Sequence, residues 1–136
     1  MIVVDASVAV KWVVQEPDSA AAEALRFAGE LIAPENWLVE AANALWKYVV
    51  RRQLSAPQAE QRLLELRAAP VIASAIDPDI HSALQLAIDL NHPIYDCLYL
   101  ALAIRLGTHV VTADRRFAAL SGRRADLDGR VRSLTL

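Results

Sequence analysis

Short, unbroken apolar runs alternate with longer, mixed segments along the whole chain. Ile2-Val3-Val4 reads as a strand ending in Asp5, and Ser7 offers an N-cap to an apolar helix through Val14. Glu16-Pro17-Asp18-Ser19 marks a turn and the start of a helix ending near Gly29, followed by a strand at Leu31-Ile32-Ala33. Beyond Pro34 a long helix is predicted from about Glu35 to Arg52, and Ser55 caps another with Pro57 in its first turn. Val71-Ile72-Ala73 reads as a strand, Asp77 or Asp79 begins a helix through Leu90, and Asn91-His92-Pro93 breaks it. The next helix carries Asp96 and ends at Gly107; Thr108 to Thr112 form a strand. Asp114 opens a short helix to about Leu120, and Val131 to Leu134 read as a last strand.

Strands this short and continuously apolar, each separated by helices, predict a parallel sheet covered on both faces. Such sheets carry their sites just beyond the carboxyl ends of the strands. With 136 residues, 55% apolar and 22% charged, the chain predicts one domain over residues 1–136 with a sizeable core. There is no repeat, no low-complexity tract and no run of about 20 apolar residues, so a cytoplasmic protein without membrane association is expected. A single cysteine, Cys97, excludes an internal disulfide. The net charge of −2 conceals a division: residues 1–104 hold 7 basic and 13 acidic groups, residues 105–136 hold 7 Arg and 3 Asp. The basic end either attracts a polyanion or is a solvated surface.

Asp96 is the only acidic side chain between Ile94 and Ile104, in a segment otherwise fit for burial. An unpaired carboxylate in an apolar interior costs several kcal/mol, roughly, so it is neutral, paired with a cation, or turned to a polar cleft. Asp5 and Asp114 follow two predicted strands and share one edge if the sheet is parallel. Alone, each reads more readily as a capping or turn residue. Glu40 sits on a helix apolar nearly all round, in a narrow strip with Asn43, Lys47 and Arg51 that faces either solvent or a cleft. Asp96 also suits the positive end of its helix. One shared site accounts for all four acids together. Four adjacent carboxylates repel one another unless a cation neutralises them. All-oxygen ligands select a hard ion, Mg²⁺ or Mn²⁺, over zinc, and such ions serve phosphoryl chemistry.

The same residues resemble the PIN domain, and within it the VapC-type toxin ribonucleases of bacterial and archaeal toxin–antitoxin pairs. Asp5-Ala6-Ser7 is similar to the family's opening Asp-x-Ser, and Glu40-Ala41-Ala42-Asn43 to its Glu-x-x-Asn segment. Tyr95-Asp96-Cys97-Leu98-Tyr99-Leu100-Ala101-Leu102-Ala103 resembles its most recognisable helix, and Thr112-Ala113-Asp114 its Thr-x-Asp close. The resemblance implies an α/β fold, a three-layer α/β/α sandwich with a central, mainly parallel sheet. It further implies Asp5, Glu40, Asp96 and Asp114 as a catalytic quartet binding Mg²⁺ or Mn²⁺, supported by the polar Ser7, Asn43 and Thr112. Members cut single-stranded or loop RNA to leave a 5′-phosphate and a 3′-hydroxyl, commonly dimerise, and are inhibited by a VapB-like antitoxin whose C-terminal segment lies over the active-site groove. Lys11, Lys47, Arg115 and Arg116 are candidate phosphate contacts. Trp12 and Trp37 are candidate stacking residues whose expected use is nonetheless core packing.

Four rivals stand beside this reading. A Mg²⁺-dependent phosphatase with a nucleophilic Asp needs a second Asp two residues on, where this chain has Ser7. No Gly-rich phosphate loop is present, which disfavours a nucleotide-driven enzyme. A Cys97–His92 nucleophile pair lacks an organising third group, so Cys97 reads as core and His81, His92 and His109 as surface or packing residues. An inactive RNA- or partner-binding module is the alternative from another class, against which four intact acids argue.

Overall fold

The computed structural model describes residues 1–135. Five strands, β1 (Ile2–Val4), β2 (Leu31–Pro34), β3 (Val71–Ser74), β4 (Val110–Thr112) and β5 (Val131–Ser133), form one sheet in the order β3-β2-β1-β4-β5. Every pairing is parallel, with Val3 opposite Ile32 on one side and Val110 on the other. The helices are α1 (Ala6–Ala9), α2 (Ser19–Leu25), α3 (Trp37–Val50), α4 (Ala56–Arg67), α5 (Asp77–Leu90), α6 (Ile94–Leu106) and α7 (Arg115–Ala118). Right-handed crossovers send α1–α4 to one face and, after β3, α5–α7 to the other. The predicted three layers are present.

The strand order reverses between β1 and β4. Chains leave these two neighbours in opposite directions, which opens a crevice at their carboxyl ends. The core fills the space between sheet and helices: Val3, Val4, Leu31, Val110 and Val111 of the sheet meet Val8 and Ala9, Leu45 of α3, and Leu90 of α5. Helix α6 supplies an unbroken buried run from Cys97 to Ala103. It packs against β1, β2 and β4 and against α5, so this run has no solvent face, while Tyr95 at its start and Ile104 and Leu106 at its end are exposed.

Several ends differ from expectation. The first helix stops at Ala9 and continues only as a 3₁₀ turn over Val10–Trp12, consistent with the β-branched Val8, Val10, Val13 and Val14, which are poor helix formers. Its N-cap is Asp5, not Ser7, and that carboxylate makes no capping bond because it is engaged elsewhere. Helix α2 ends at Leu25, four residues before Gly29. Helix α4 follows its expected capping box, Ser55 with Gln58. Helix α3 is less enclosed than its composition predicts: Val39 is 72% and Trp46 59% exposed. Among the helices it packs mainly on α1 and α4, and its outer flank is left uncovered.

Candidate active site

The extended backbone of β1 ends at Asp5, and that of β4 ends two residues before Asp114, so the two acids reach the same edge of adjacent strands. Glu40 lies in the first turn of α3 and Asp96 in the first turn of α6. All four line one cavity of about 690 Å³, together with Ser7, Asn36, Val39, Asn43, Lys47 and Tyr95. A second cavity of about 640 Å³ beside α5 and α6 holds acids already matched to arginines, Asp79 to Arg105 and Asp89 and Asp126 to Arg124.

Each acid in the first cavity has one oxygen fixed. Asp5 Oδ2 accepts from Ser7 Oγ at 2.6 Å and Thr112 Oγ1 at 2.7 Å. Those hydroxyls in turn accept the backbone N–H groups of Ala113 and Asp114, each at 3.0 Å, and lie 3.3 Å from one another. Glu40 Oε1 accepts from Tyr99 Oη and Asn36 Nδ2, both at 3.1 Å. Asp96 Oδ2 lies 2.7 Å from His92 Nε2, and Asp114 Oδ1 accepts the backbone N–H of Arg116 at 2.9 Å. Among the described residues the other oxygen of each acid accepts no hydrogen bond.

Burial and mutual repulsion disfavour the ionised forms. Asp5 is pushed up to about 6, mainly by desolvation, with Ser7 and Thr112 opposing and the charges of Asp96 and Asp114 adding. Glu40 rises to about 7, again by desolvation first and then by the charge of Asp5. Asp96 is raised by desolvation against the opposing pull of His92. The Tyr99 hydroxyl, fully buried beside Glu40 and Asp5, is held protonated as a donor. Among the described residues none of the four acids forms an ion pair with Lys or Arg; His92 is the one ionisable base in contact, with Asp96.

A divalent ion suits this lining chemically, because four hard carboxylates would be relieved of their repulsion by it. Among the described residues no three His, Cys, Asp or Glu side chains stand close enough to enclose an ion directly. An ion at that spacing would have to keep part of its water shell. Asn36 leaves Oδ1 buried without a partner, an acceptor that such a water would satisfy.

The remaining candidates divide. Ser7 and Thr112 hold Asp5, while Asn43 and Lys47 line the cavity. Lys11 lies outside it and pairs with Asp18 at 2.8 Å. Arg115 and Arg116 are exposed at the start of α7, outside the lining, although the Arg116 charge reaches Asp96. Trp37 is buried, and Trp12 donates Nε1 to the Ala22 carbonyl at 2.8 Å, so both indoles serve packing. Sequence reasoning missed His92, Tyr99 and Asn36. His92 and Asn36 each stand four residues before their acid, a spacing that was legible; Tyr99 meets Glu40 across 59 residues, for which the sequence holds no signal.

The fold and this acidic crevice define a class, and comparison with known proteins agrees. The profile of the PIN domain matches residues 2–123. Ribonuclease VapC12 of Mycobacterium tuberculosis is 34% identical over 129 residues, covering 94% of this chain and 98% of that protein. Among solved structures, PAE2754 from Pyrobaculum aerophilum superposes with a TM-score of 0.70 at 22% identity, covering 98% of this chain and 83% of its own. VapC20 of Mycobacterium tuberculosis, a sarcin-ricin loop cleaving toxin, gives 0.69 at 16% identity, covering 88% and 95%. The chain belongs to the PIN domain family, in its VapC ribonuclease branch.

Proposed function

We propose that this protein is the toxin of a type II toxin–antitoxin pair, an endoribonuclease that hydrolyses RNA phosphodiester bonds with Mg²⁺ or Mn²⁺ to leave a 5′-phosphate and a 3′-hydroxyl. The observation that carries the reading is the set of four carboxylates from four separate segments, each with one oxygen fixed and one left without a protein donor, around one cavity. A bound divalent ion supplies an activated water and neutralises charge on the phosphoryl oxygen. Asp5, Glu40, Asp96 and Asp114 are the residues to hold it. Ser7 and Thr112 keep Asp5 turned to the cavity, Tyr99 does so for Glu40, and Lys47 is placed to meet a phosphate at the rim. An unpaired RNA loop suits an open crevice better than a duplex does, since its bases splay away from the cut backbone.

A VapB-like antitoxin is the proposed partner. Exposed Val39 and Tyr95 line the acidic cavity, a surface matched by a segment carrying both apolar and basic side chains. Self-association as a homodimer is proposed too, supported by the exposed strip Ile80, Leu84 and Ile88 on α5. Among the described residues no helix is long and apolar enough to cross a membrane. The test is cleavage of structured RNA with Mg²⁺, Mn²⁺ or EDTA, alongside Asp96→Asn. Cleavage should stop in EDTA and fall on the order of 100-fold or more in the variant. Undiminished cleavage in either case would sink the metal mechanism.

A further inference from the structure

Among the acids of the cavity, Asp96 has a partner that the family motifs do not account for. Helix α5 ends at Leu90 with Asn91 in the left-handed region at φ 48°, and Pro93 then starts α6 with an extended backbone. The intervening His92 is anchored through its backbone: its N–H donates to Ala87 O at 3.2 Å, and its carbonyl faces Cys97 Sγ. This tight return sets the ring one helical turn before Asp96, with Nε2 2.7 Å from Oδ2. The ring is 9% exposed and its centroid lies 6.2 Å from that of Phe117, a fully buried residue of α7 three positions after Asp114. Tyr99, which holds Glu40, packs edge-on against the same Phe117 at 6.3 Å. A buried aromatic layer thus lies behind the acids, and His92 is its member that touches Asp96.

We infer that His92 is a positioning residue: by holding Asp96 Oδ2 it fixes the carboxylate plane, so that Oδ1 is presented to a metal ion in the cavity. With Asp96 ionised, Nε2 is the donor, and either the charged ring or one neutral tautomer supplies that proton. A carboxylate on the first turn of a helix has two rotatable bonds, and a hydrogen bond from a ring that is itself packed removes that freedom before the ion arrives. This inference rests on the reading of the four acids as a metal site, and it adds a residue that neither touches the ion nor belongs to the acidic set.

The test is Mn²⁺ binding to the RNA-free protein, read by electron paramagnetic resonance and by calorimetry. His92→Phe keeps the ring packing on Phe117 and removes the donor; its Mn²⁺ affinity should fall about 10-fold or more. His92→Gln, whose amide nitrogen has nearly the reach of Nε2, should restore affinity to within about threefold of the parent. In an Asp96→Asn background, His92→Phe should change affinity by less than about twofold, because the residue acts through Asp96. If His92→Phe does not fold, His92→Asn replaces it, since its shorter amide falls short of Asp96 and should show the same loss. A parent protein that binds no Mn²⁺ overturns the metal reading and this inference with it. A parent that binds, with His92→Phe or His92→Asn binding equally tightly, overturns the positioning role alone. So does a loss of equal size in the Asp96→Asn background, which would mark His92 as a general packing residue.

Discussion

Thr112 Oγ1 donates to Asp5 Oδ2 at 2.7 Å across 107 residues of sequence, joining the ends of β4 and β1 at the acid itself. The same oxygen takes a second donor from Ser7, and these two bonds are the main opposition to the desolvation that pushes Asp5 up to about 6. Thr112→Val keeps a β-branched side chain in a fully buried strand position and removes one donor. Losing a donor to the charged form raises the Asp5 pKa further. Mn²⁺ affinity in this variant should therefore weaken most below about pH 7 and recover toward pH 8.5. Calorimetric titrations across that range check it; an unchanged pH profile would reduce Thr112 to a packing role.

Metal-free stability should depend on pH with an unusual sign. Asp5 and Glu40 titrate at about 6 and about 7 in the fold, above their ordinary 3.8 and 4.5. Their contribution to stability is fully present below about pH 4 and is lost as pH rises through about 6 to 7. Glu40→Gln removes one such group while its amide oxygen still accepts from Tyr99. In EDTA at pH 8 the variant should melt higher than the parent by about 2–4 °C, on the order of 1 kcal/mol once partial solvent exposure is allowed for. Mn²⁺ should stabilise the parent and not the variant; thermal melts at pH 5 and pH 8 separate the cases.

Two lysines that look alike in sequence should behave differently. Lys47 lines the acidic cavity, whereas Lys11 is matched to Asp18. Lys47→Ala should weaken RNA binding uniformly across sequences and lower the salt dependence by about one counterion. Lys11→Ala should leave that slope unchanged. Fluorescence anisotropy of a labelled RNA hairpin at several salt concentrations, with Ca²⁺ in place of Mg²⁺, distinguishes them.

Arg105 grips Asp79 from α6 to α5 with two bonds, 2.7 and 2.9 Å, and the Asp79 residue is 4% exposed. Arg105→Leu leaves that carboxylate buried and unpaired, at a cost of about 2–4 kcal/mol. Chemical denaturation should register the loss, while Mn²⁺ affinity of the folded protein stays unchanged because the pair lies outside the acidic cavity.

The strands were legible because a strand covered on both faces must be continuously apolar, and Ile2–Val4 and Val110–Thr112 each reach an Asp within two residues while Leu31–Pro34 closes on a proline. Helix α6 was equally plain, since Cys97 to Ala103 admit no solvent face. The first helix was misjudged in length, because the apolar stretch from Val8 to Val14 looks helical but four of its residues, Val8, Val10, Val13 and Val14, branch at Cβ, and the chain tightens into a 3₁₀ turn. The exposure of Val39 and Trp46 was hidden for a different reason. A helical wheel reports polarity, and whether an apolar flank is covered depends on which neighbour packs there.

The sequence by itself determined the α/β alternation, the buried helix and the acids that stand out from apolar surroundings, since each is a local contrast between a residue and its immediate neighbours. Tertiary structure decided what those acids touch. The reversal of strand order between β1 and β4 brings Asp5 to Thr112, and the packing of α6 brings Tyr99 to Glu40. The aromatic layer of His92, Tyr99 and Phe117 came from the same cause. Hydrogen bonds between segments 59 or 107 residues apart follow from how sheet and helices are stacked, and no periodicity along the chain encodes them.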